Sequence, residues 1–213
     1  MTWSAPRTAS SPPISSTPKA TPRCGPGTRS SRSSPNACRN ERPRHREEND
    51  MRRADVADHS AIVDRVQRWW GDSRTPAEAR ELSLLLPKLF LQFFSRTSLV
   101  LEDETGIRAF LVGFHAPDND VEAYIHFVGV DPELRGQGTA RRLYTTFFRH
   151  AAEEGRTEVR AITSPANTGS IAFHRAMGFT LEDGDRVIDG LPVHGGYDGP
   201  GQDRVCFFRK LAG

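Results

Sequence analysis

Cysteine is scarce in this chain of 213 residues, which contains three. Cys24 and Cys38 stand in the amino-terminal quarter, and Cys206 lies in an apolar run near the other end. No repeated Cys or His spacing is present, which argues against a disulfide framework and against a spaced zinc motif. We therefore expect no bound metal and a reducing, cytoplasmic location.

Long apolar runs are also missing. No run approaches the roughly 18 to 20 residues that a membrane helix needs, and no hydrophobic signal segment follows Met1. The net charge of +2 is too small to indicate a nucleic-acid or membrane-surface protein by itself. We expect neither a membrane nor a nucleic acid among the partners.

Acidic residues are absent before Glu41, in a stretch dominated by Ser, Thr, Pro and Arg. Such a composition offers too little apolar surface for a core, so residues 1–50 are predicted to be a disordered tail and residues 51–213 the folded domain. An organelle transit peptide is an alternative, although the prolines would interrupt an amphipathic targeting helix. A second alternative is that translation starts at Met51.

From Met51 onward, the spacing of apolar residues alternates between helical and strand periods. Helices are predicted over 61–70, 82–94, 138–154 and 168–177, and strands over 98–102, 108–114, 121–130, 158–163, 179–182 and 204–210. Strand 121–130 is long and apolar enough to be central. The elements from residue 121 to residue 182 form a βαβαβ run.

One junction carries chemical information: the strand that ends at Val130 breaks at Pro132 and re-enters a helix through Gly136 and Gly138. Unpaired N–H groups at the start of a helix, together with the helix dipole, attract anions such as a diphosphate. A Walker loop is excluded because no Gly-Lys-Ser or Gly-Lys-Thr follows, and a Rossmann loop is excluded because Arg141 stands where Gly or Ala is needed. A plain strand-to-helix turn remains the alternative.

The segment Arg135-Gly-Gln-Gly-Thr-Ala140 resembles the acyl-CoA loop of the GNAT superfamily of acetyltransferases, Arg/Gln-x-x-Gly-x-Gly/Ala. Asn167 and the run from Phe173 to Phe179 resemble the second signature of that family. The resemblance implies an α+β GNAT fold, with a mixed central sheet flanked by helices. A monomer or a homodimer is expected, and the sequence does not distinguish the two. It also implies transfer of an acetyl group from acetyl-CoA to a primary amine of a small molecule or protein by direct attack.

The resemblance further implies roles for individual residues. Val128 and Val130 would offer backbone groups to the pantetheine arm where two strands separate, and the Val130 N–H would stabilise the oxyanion. Asn167 would hydrogen-bond the pantetheine, and Phe173 would pack near the cofactor. The diphosphate would be held by the main chain of Arg135, Gly136, Gln137, Gly138, Thr139 and Ala140.

Catalytic groups are less clearly marked. The general acid of the family is a Tyr, whereas His174 stands at that position, either as an acid or as an ordinary helix residue. Glu122 and His126 share one strand face with Tyr124, and either is a candidate base, with a structural role or a water chain as the alternative. The five aspartates of the loop 182–203 either attract a cationic amine or simply build the loop.

Two rival functions remain open. A CoA-binding regulatory module without turnover would bind acetyl-CoA but release no thiol when amines are added. A nucleic-acid-associated protein would bind DNA through its basic tail, with a steep salt dependence that disappears when residues 1–50 are removed.

Overall fold

A computed structural model describes residues 50–71 and 75–211. The predicted tail lies outside these residues except for Asp50, so its disorder stays a prediction. None of the helices in the described part of the chain is long and apolar enough to cross a membrane.

The described residues form nine strands: β1 Met51–Arg53, β2 Leu99–Asp103, β3 Gly106–His115, β4 Glu122–Val130, β5 Glu158–Thr163, β6 Thr180–Leu181, β7 Arg186–Ile188, β8 Leu191–Val193 and β9 Val205–Lys210. Seven of them form a mixed sheet in the order β1-β2-β3-β4-β5-β9-β6. Strand β4 lies in the middle, parallel to β5 and antiparallel to β3. A separate hairpin joins β7 and β8. The predicted α+β class and mixed sheet are confirmed.

Helices cover both faces of the sheet. They are α1 Asp58–Gly71, α2 Pro76–Ser83, α3 Leu89–Phe94, α4 Thr139–Glu153 and α5 Thr168–Ala176. Ile62 and Val66 of α1 are fully buried against the β2–β3 side chains Val100 and Phe110, on one face. The opposite face packs against α4 and α5 through a cluster that includes Leu111, Ile125, Ala161, Leu143, Phe147 and Ile171. The domain therefore has two cores separated by the sheet.

The prediction of one helix over 82–94 is wrong. Helix α2 begins upstream at Pro76, where Thr75 and Glu78 form a reciprocal capping box, and it ends at Ser83. A turn containing Pro87 then precedes α3, because proline cannot continue the hydrogen-bond ladder of a helix. The short strands β1, β7 and β8 were not predicted, and β6 is two residues long rather than four.

Candidate functional site

Strands β4 and β5 separate in the middle of the sheet. Their parallel pairing ends at Ile125 opposite Ala161. Beyond that point β4 continues to Val130 with β3 as its partner, and β5 continues to Thr163 with β9 as its partner. A wedge-shaped gap therefore opens between two strands that are neighbours at their other ends.

The gap begins at an irregularity in β4. The register with β3 passes from Gly113 opposite Ile125 to Val112 opposite Phe127, so His126 is an extra, bulged residue. Bulges re-aim the strand and are common beside functional sites. His126 therefore marks the point where the two strands part.

Backbone groups of β4 point into this gap. The N–H of Asp131 donates to the Arg108 carbonyl at 2.9 Å, which directs residue 131 toward β3. Hydrogen-bonding direction alternates along a strand with an antiparallel partner, so Val128 and Val130 point away from β3 and into the gap. Gly129 lies between them, where a Cβ would approach the Phe110 ring to 2.3 Å. These are the two residues expected to offer backbone groups to a pantetheine arm.

The loop after β4 ends in a helix start without a side-chain cap. Gly136 and Gly138 have φ of 75° and 85°, and Gly138 occupies the N-cap of α4 with no side-chain hydrogen bond. Arg142 is the first residue of the helix whose N–H finds an intrahelical acceptor, the Gly138 carbonyl at 3.0 Å. The N–H groups of residues 139–141 precede it and have no such acceptor. This geometry suits an anion.

Side chains of the loop bond to the protein itself. Gln137 donates from Nε2 to the Glu133 carbonyl at 2.7 Å. The Arg135 guanidinium donates to the carbonyls of Val130 and Trp69, both at 3.3 Å. Thr139 is buried, whereas residues 135–138 are exposed and Ala140 is half-buried. The side chains shape the loop. The main-chain N–H of Arg135 donates to the Pro132 carbonyl at 3.3 Å, so the predicted contact of this group with a diphosphate is wrong. The N–H groups at the start of α4 are left for a ligand.

The second predicted signature lies at the start of α5. Asn167 is the N-cap, and its Oδ1 accepts the Ser170 N–H at 3.1 Å, so its exposed Nδ2 is the group left to donate to a ligand. Phe173 is half-buried and meets Tyr144 edge-on, with ring centroids 5.0 Å apart.

His174 lies in the interior, 5% exposed, and stacks on Phe207 at 4.4 Å between centroids. Its Nδ1 lies 2.8 Å from the Ser170 carbonyl, which can only accept, so Nδ1 carries the proton and donates. Nε2 then accepts from the Tyr144 hydroxyl at 3.0 Å. Burial lowers the pKa of His174, partly offset by the Ser170 hydrogen bond. Both nitrogens are thus engaged by the protein.

Glu122 is tied into an ion-pair group on the α1–α3 face of the sheet. Arg160 of β5 donates from Nε to Glu122 at 2.7 Å and also contacts Glu158 and Glu182. Sequence reasoning missed this group because Arg160 and Glu182 meet Glu122 only through strand pairing. Tyr124 lies on the same face and stacks on Phe114 at 5.3 Å.

His126 is better placed than Glu122 to exchange a proton. Its ring stacks on Phe90 at 4.1 Å, and its Nε2 lies 2.6 Å from the Leu85 carbonyl, so Nε2 donates. Burial lowers the pKa of His126, against smaller raising effects of the Leu85 carbonyl and Asp198. The ring is therefore neutral near pH 7, with Nδ1 as its basic nitrogen.

The aspartates of the loop 182–203 mostly serve the loop itself. Asp185 accepts the Gly195 N–H at 3.0 Å, and Asp203 accepts the Gly196 N–H at 2.8 Å. Asp198 pairs with Arg204 at 2.7 Å. These contacts support the structural explanation of the acidic cluster.

Residues 63–179, more than half of the chain, match the sequence model of the acetyltransferase (GNAT) family. The chain belongs to the GNAT acetyltransferase family. The matched segment includes the bulged strand β4 and both predicted signatures, which are the glycine loop 135–140 and the segment from Asn167 to Phe179.

Relatives of this GNAT chain include acetyltransferases of small molecules. A mycothiol acetyltransferase from Thermobispora bispora is 33% identical over 96 residues, which cover 41% of this chain and 32% of that protein. An L-2,4-diaminobutyric acid acetyltransferase from Marinococcus halophilus is 26% identical over 89 residues, covering 42% of this chain and 52% of that protein. The chain thus spans about a third to a half of the length of these two relatives.

A solved structure shares the GNAT fold of this chain. The diaminobutyrate acetyltransferase of Paenibacillus lautus, in complex with L-2,4-diaminobutyric acid and coenzyme A, aligns with a TM-score of 0.54 at 19% identity. The alignment covers 76% of this chain and 93% of that one. At 19% identity this similarity establishes the fold alone.

Proposed function

We propose that this GNAT chain transfers an acetyl group from acetyl-CoA to a primary amine. The observation that carries the proposal is the gap between β4 and β5, which leads directly to the uncapped helix start at Gly138. An elongated ligand with a diphosphate at one end fits this arrangement, because hydrogen-bonding backbone lines the gap and bare N–H groups lie at its end. The acetyltransferase names of the family and its relatives support the same reaction.

In this proposal the residues of β4 and the loop hold the cosubstrate. Val128 and Val130 hydrogen-bond the pantetheine arm, the N–H groups of residues 136–141 hold the diphosphate, and Asn167 donates from Nδ2. Acetyl-CoA supplies the thioester carbonyl when it is bound. The bulge at His126 marks the narrow end of the gap, so we place the reacting carbonyl near that residue rather than at the Val130 N–H expected from the sequence.

We assign the general base to His126. A base must be unprotonated at working pH, and burial keeps this imidazole neutral. Its Nε2–H is fixed by the Leu85 carbonyl, which leaves Nδ1 to accept the amine proton directly or through a water. Glu122 is less suited because Arg160 already binds its carboxylate.

The general-acid role of His174 stays a prediction. Its two hydrogen bonds within the core favour a packing role, and a thiolate with a solution pKa near 8.5 can leave without a dedicated acid. Protonation of the departing thiolate by the product ammonium or by water would then suffice.

The acceptor is expected to be a cationic small-molecule amine. Three carboxylates, Glu122, Glu158 and Glu182, surround one guanidinium on the α1–α3 face, which leaves this group of side chains net negative. The diaminobutyrate relative acts on such an amine by its name. The cytoplasmic location and the oligomeric state stay predictions.

The proposal is tested by measuring release of the CoA thiol from acetyl-CoA across polyamines, diamino acids, aminoglycosides and peptides. We expect amine-dependent release with at least one diamine. Binding of acetyl-CoA without release in the presence of any amine would instead identify a module without turnover.

A further inference from the structure

A second group of reactive side chains lies where the loop 182–203 returns to the sheet. Glu182 follows β6, His194 follows β8 and Cys206 lies in β9. One ligand atom of each, a carboxylate oxygen, an imidazole nitrogen and the thiol sulfur, lies within 4.8 Å of the other two. His194 and Cys206 have no part in the proposed acetyl transfer, and Glu182 enters it only as one of the three carboxylates that attract the amine.

We propose that Glu182, His194 and Cys206 form a binding site for one thiophilic divalent cation of the zinc class, with one coordination position left open. Bonds of 2.0 to 2.3 Å at tetrahedral angles place ligand atoms roughly 3.5 Å apart, so movements of about 1 Å complete the geometry. A thiolate with an imidazole favours zinc over magnesium or calcium, which prefer sets of oxygen ligands.

An unpaired nitrogen supports the site. The Nε2 of His194 is buried and has no hydrogen-bond partner among the residues that the structure describes. A buried polar atom without a partner loses its hydrogen bonds to water and gains none in return, so it calls for a specific explanation. A metal ion bonded to this nitrogen would compensate for that loss.

The surrounding charge also favours a cation. Glu182 shares Arg160 with Glu122 and Glu158, so one guanidinium faces three carboxylates. Since Arg160 engages one carboxylate oxygen of Glu182, the other oxygen is available as a ligand. A divalent ion bound by Glu182 and a Cys206 thiolate would offset the negative charge that remains.

The backbone holds the three ligands in place. Glu182 donates its N–H to the Cys206 carbonyl at 3.0 Å, and His194 exchanges two backbone hydrogen bonds with Arg204, at 2.8 and 3.0 Å. The segments are therefore already joined without a metal, and the ion would tie the hairpin between residues 182 and 194 to β9.

The direct test is a cobalt titration of the full chain after treatment with a chelator and dialysis. We expect one Co²⁺ per chain, the visible bands of a tetrahedral site and a thiolate-to-cobalt charge-transfer band, all removed by added Zn²⁺. Cys206→Ser should abolish the charge-transfer band, whereas the double variant C24S/C38S, which removes the other two cysteines, should retain it. A band that survives C206S, or no band in the parent protein, overturns the proposal.

Three further variants separate metal ligation from general damage to the fold. His194→Gln should weaken Zn²⁺ binding by about 100-fold or more, since removal of a ligand exceeds the 10- to 100-fold cost of an outer-shell change. Glu182→Gln should weaken it by at least about 10-fold, whereas Glu158→Gln also removes an Arg160 contact but should leave the affinity within about 3-fold. Equal effects of E182Q and E158Q would mean that the charge of the group, rather than ligation, attracts the ion.

A readout independent of cobalt is stability. Zn²⁺ at about 100 times its Kd should raise the Tm by roughly 5 °C and slow tryptic cleavage after Arg186 in the tied hairpin. No change in either with the parent protein contradicts the proposal. These measurements contain no acetyl-CoA, so their failure leaves the acetyl-transfer proposal untouched.

Discussion

Two histidines approach the turn between α2 and α3 from different elements. His126 donates to the Leu85 carbonyl at 2.6 Å, and His59 of α1 lies 2.9 Å from the Leu86 carbonyl with the same Nε2. Their backbone contacts are alike, but His126 alone of the two lies at the parting of β4 and β5. Replacing each histidine in turn therefore distinguishes the structural effect of losing an imidazole from the catalytic effect.

We predict that His126→Gln lowers kcat by about 100-fold, because glutamine can donate to the Leu85 carbonyl but cannot accept a proton. The acidic limb of the kcat profile, expected below pH 6.5 from the lowered pKa of His126, should disappear in the variant. Steady-state kinetics with the best amine from the thiol-release screen measures both effects. The control His59→Gln should keep kcat within about 2-fold; comparable losses in both variants would assign the effect to the turn instead.

His174 leads to a prediction about stability. Replacement by Ala should cost about 2 to 4 kcal/mol, because it leaves a cavity beside Phe207 and the buried Tyr144 hydroxyl without its acceptor. Urea unfolding measures this cost. His174→Tyr would restore the side chain typical of the family. If both variants retain the parent kcat at a temperature where they are folded, His174 is not the general acid; a loss in H174A that H174Y restores would assign it that role.

At the scale of secondary structure, the glycines that flank α4 allow a matched comparison. Gly138 at its start and Gly155 after its end have φ of 85° and 82°, and a Cβ on either would meet no atom within 4 Å. Alanine at each position should cost a similar amount of stability, about 1 to 2 kcal/mol, since the strain lies in the backbone.

Only one of these two substitutions should weaken the binding of CoA. Gly138→Ala should weaken CoA binding by at least about 10-fold, because its new methyl group lies where the diphosphate approaches the helix, whereas Gly155→Ala should leave the Kd unchanged. Isothermal titration of both proteins with CoA provides the comparison. Equal Kd values for the two variants would show that the N-terminus of α4 does not hold the diphosphate.

Elements with a strong period were predictable, and those fixed by long-range pairing were not. Strand β5 was predicted at its observed bounds, and α4 within one residue at each end, because the apolar alternation is strong and Gly155 ends the helix. By contrast, β1 has three residues and exists through its pairing with β2. The division of 82–94 required recognition of the capping box at Thr75 and Glu78, a signal that the sequence does contain.

In the candidate site, too, features set by local sequence were predictable and features set by strand pairing were not. The strand-to-helix turn at Gly136 and Gly138 could be predicted because a contiguous motif reports local backbone geometry. The bulge at His126, the Arg160 group and the cluster at Cys206 depend on which strands lie side by side, and one sequence does not specify that. The expectation of no metal rested on sequence spacing, which cannot reveal a cluster such as that of residues 182, 194 and 206, because folding alone brings these residues together.

At the scale of the whole molecule, the histidines predict acid sensitivity. Burial is the main cause that lowers the pKa of His115, His126, His150 and His174. Below pH 6.5 the unfolded chain binds protons at these positions that the folded chain does not. The free energy of unfolding therefore decreases as the pH is lowered. The contribution is complete above about pH 6.5 and is lost as the pH falls through the folded-state pKa values.

We therefore predict that the Tm is nearly constant from pH 8 to 7 and falls progressively from pH 6.5 to 5. Thermal unfolding followed by circular dichroism at constant ionic strength measures this dependence. A Tm that rises on acidification would contradict the assignment of these histidines as neutral in the folded protein.

The central claim is that the gap between β4 and β5 and the amides at the start of α4 together hold a diphosphate-bearing thioester carrier. Isothermal titration of the full chain with CoA and with pantetheine, which shares the arm but lacks the diphosphate, tests it most directly. We predict saturable binding of one CoA per chain and an affinity for pantetheine at least about 100-fold weaker. No detectable binding of CoA, or equal affinities for the two ligands, would contradict the account.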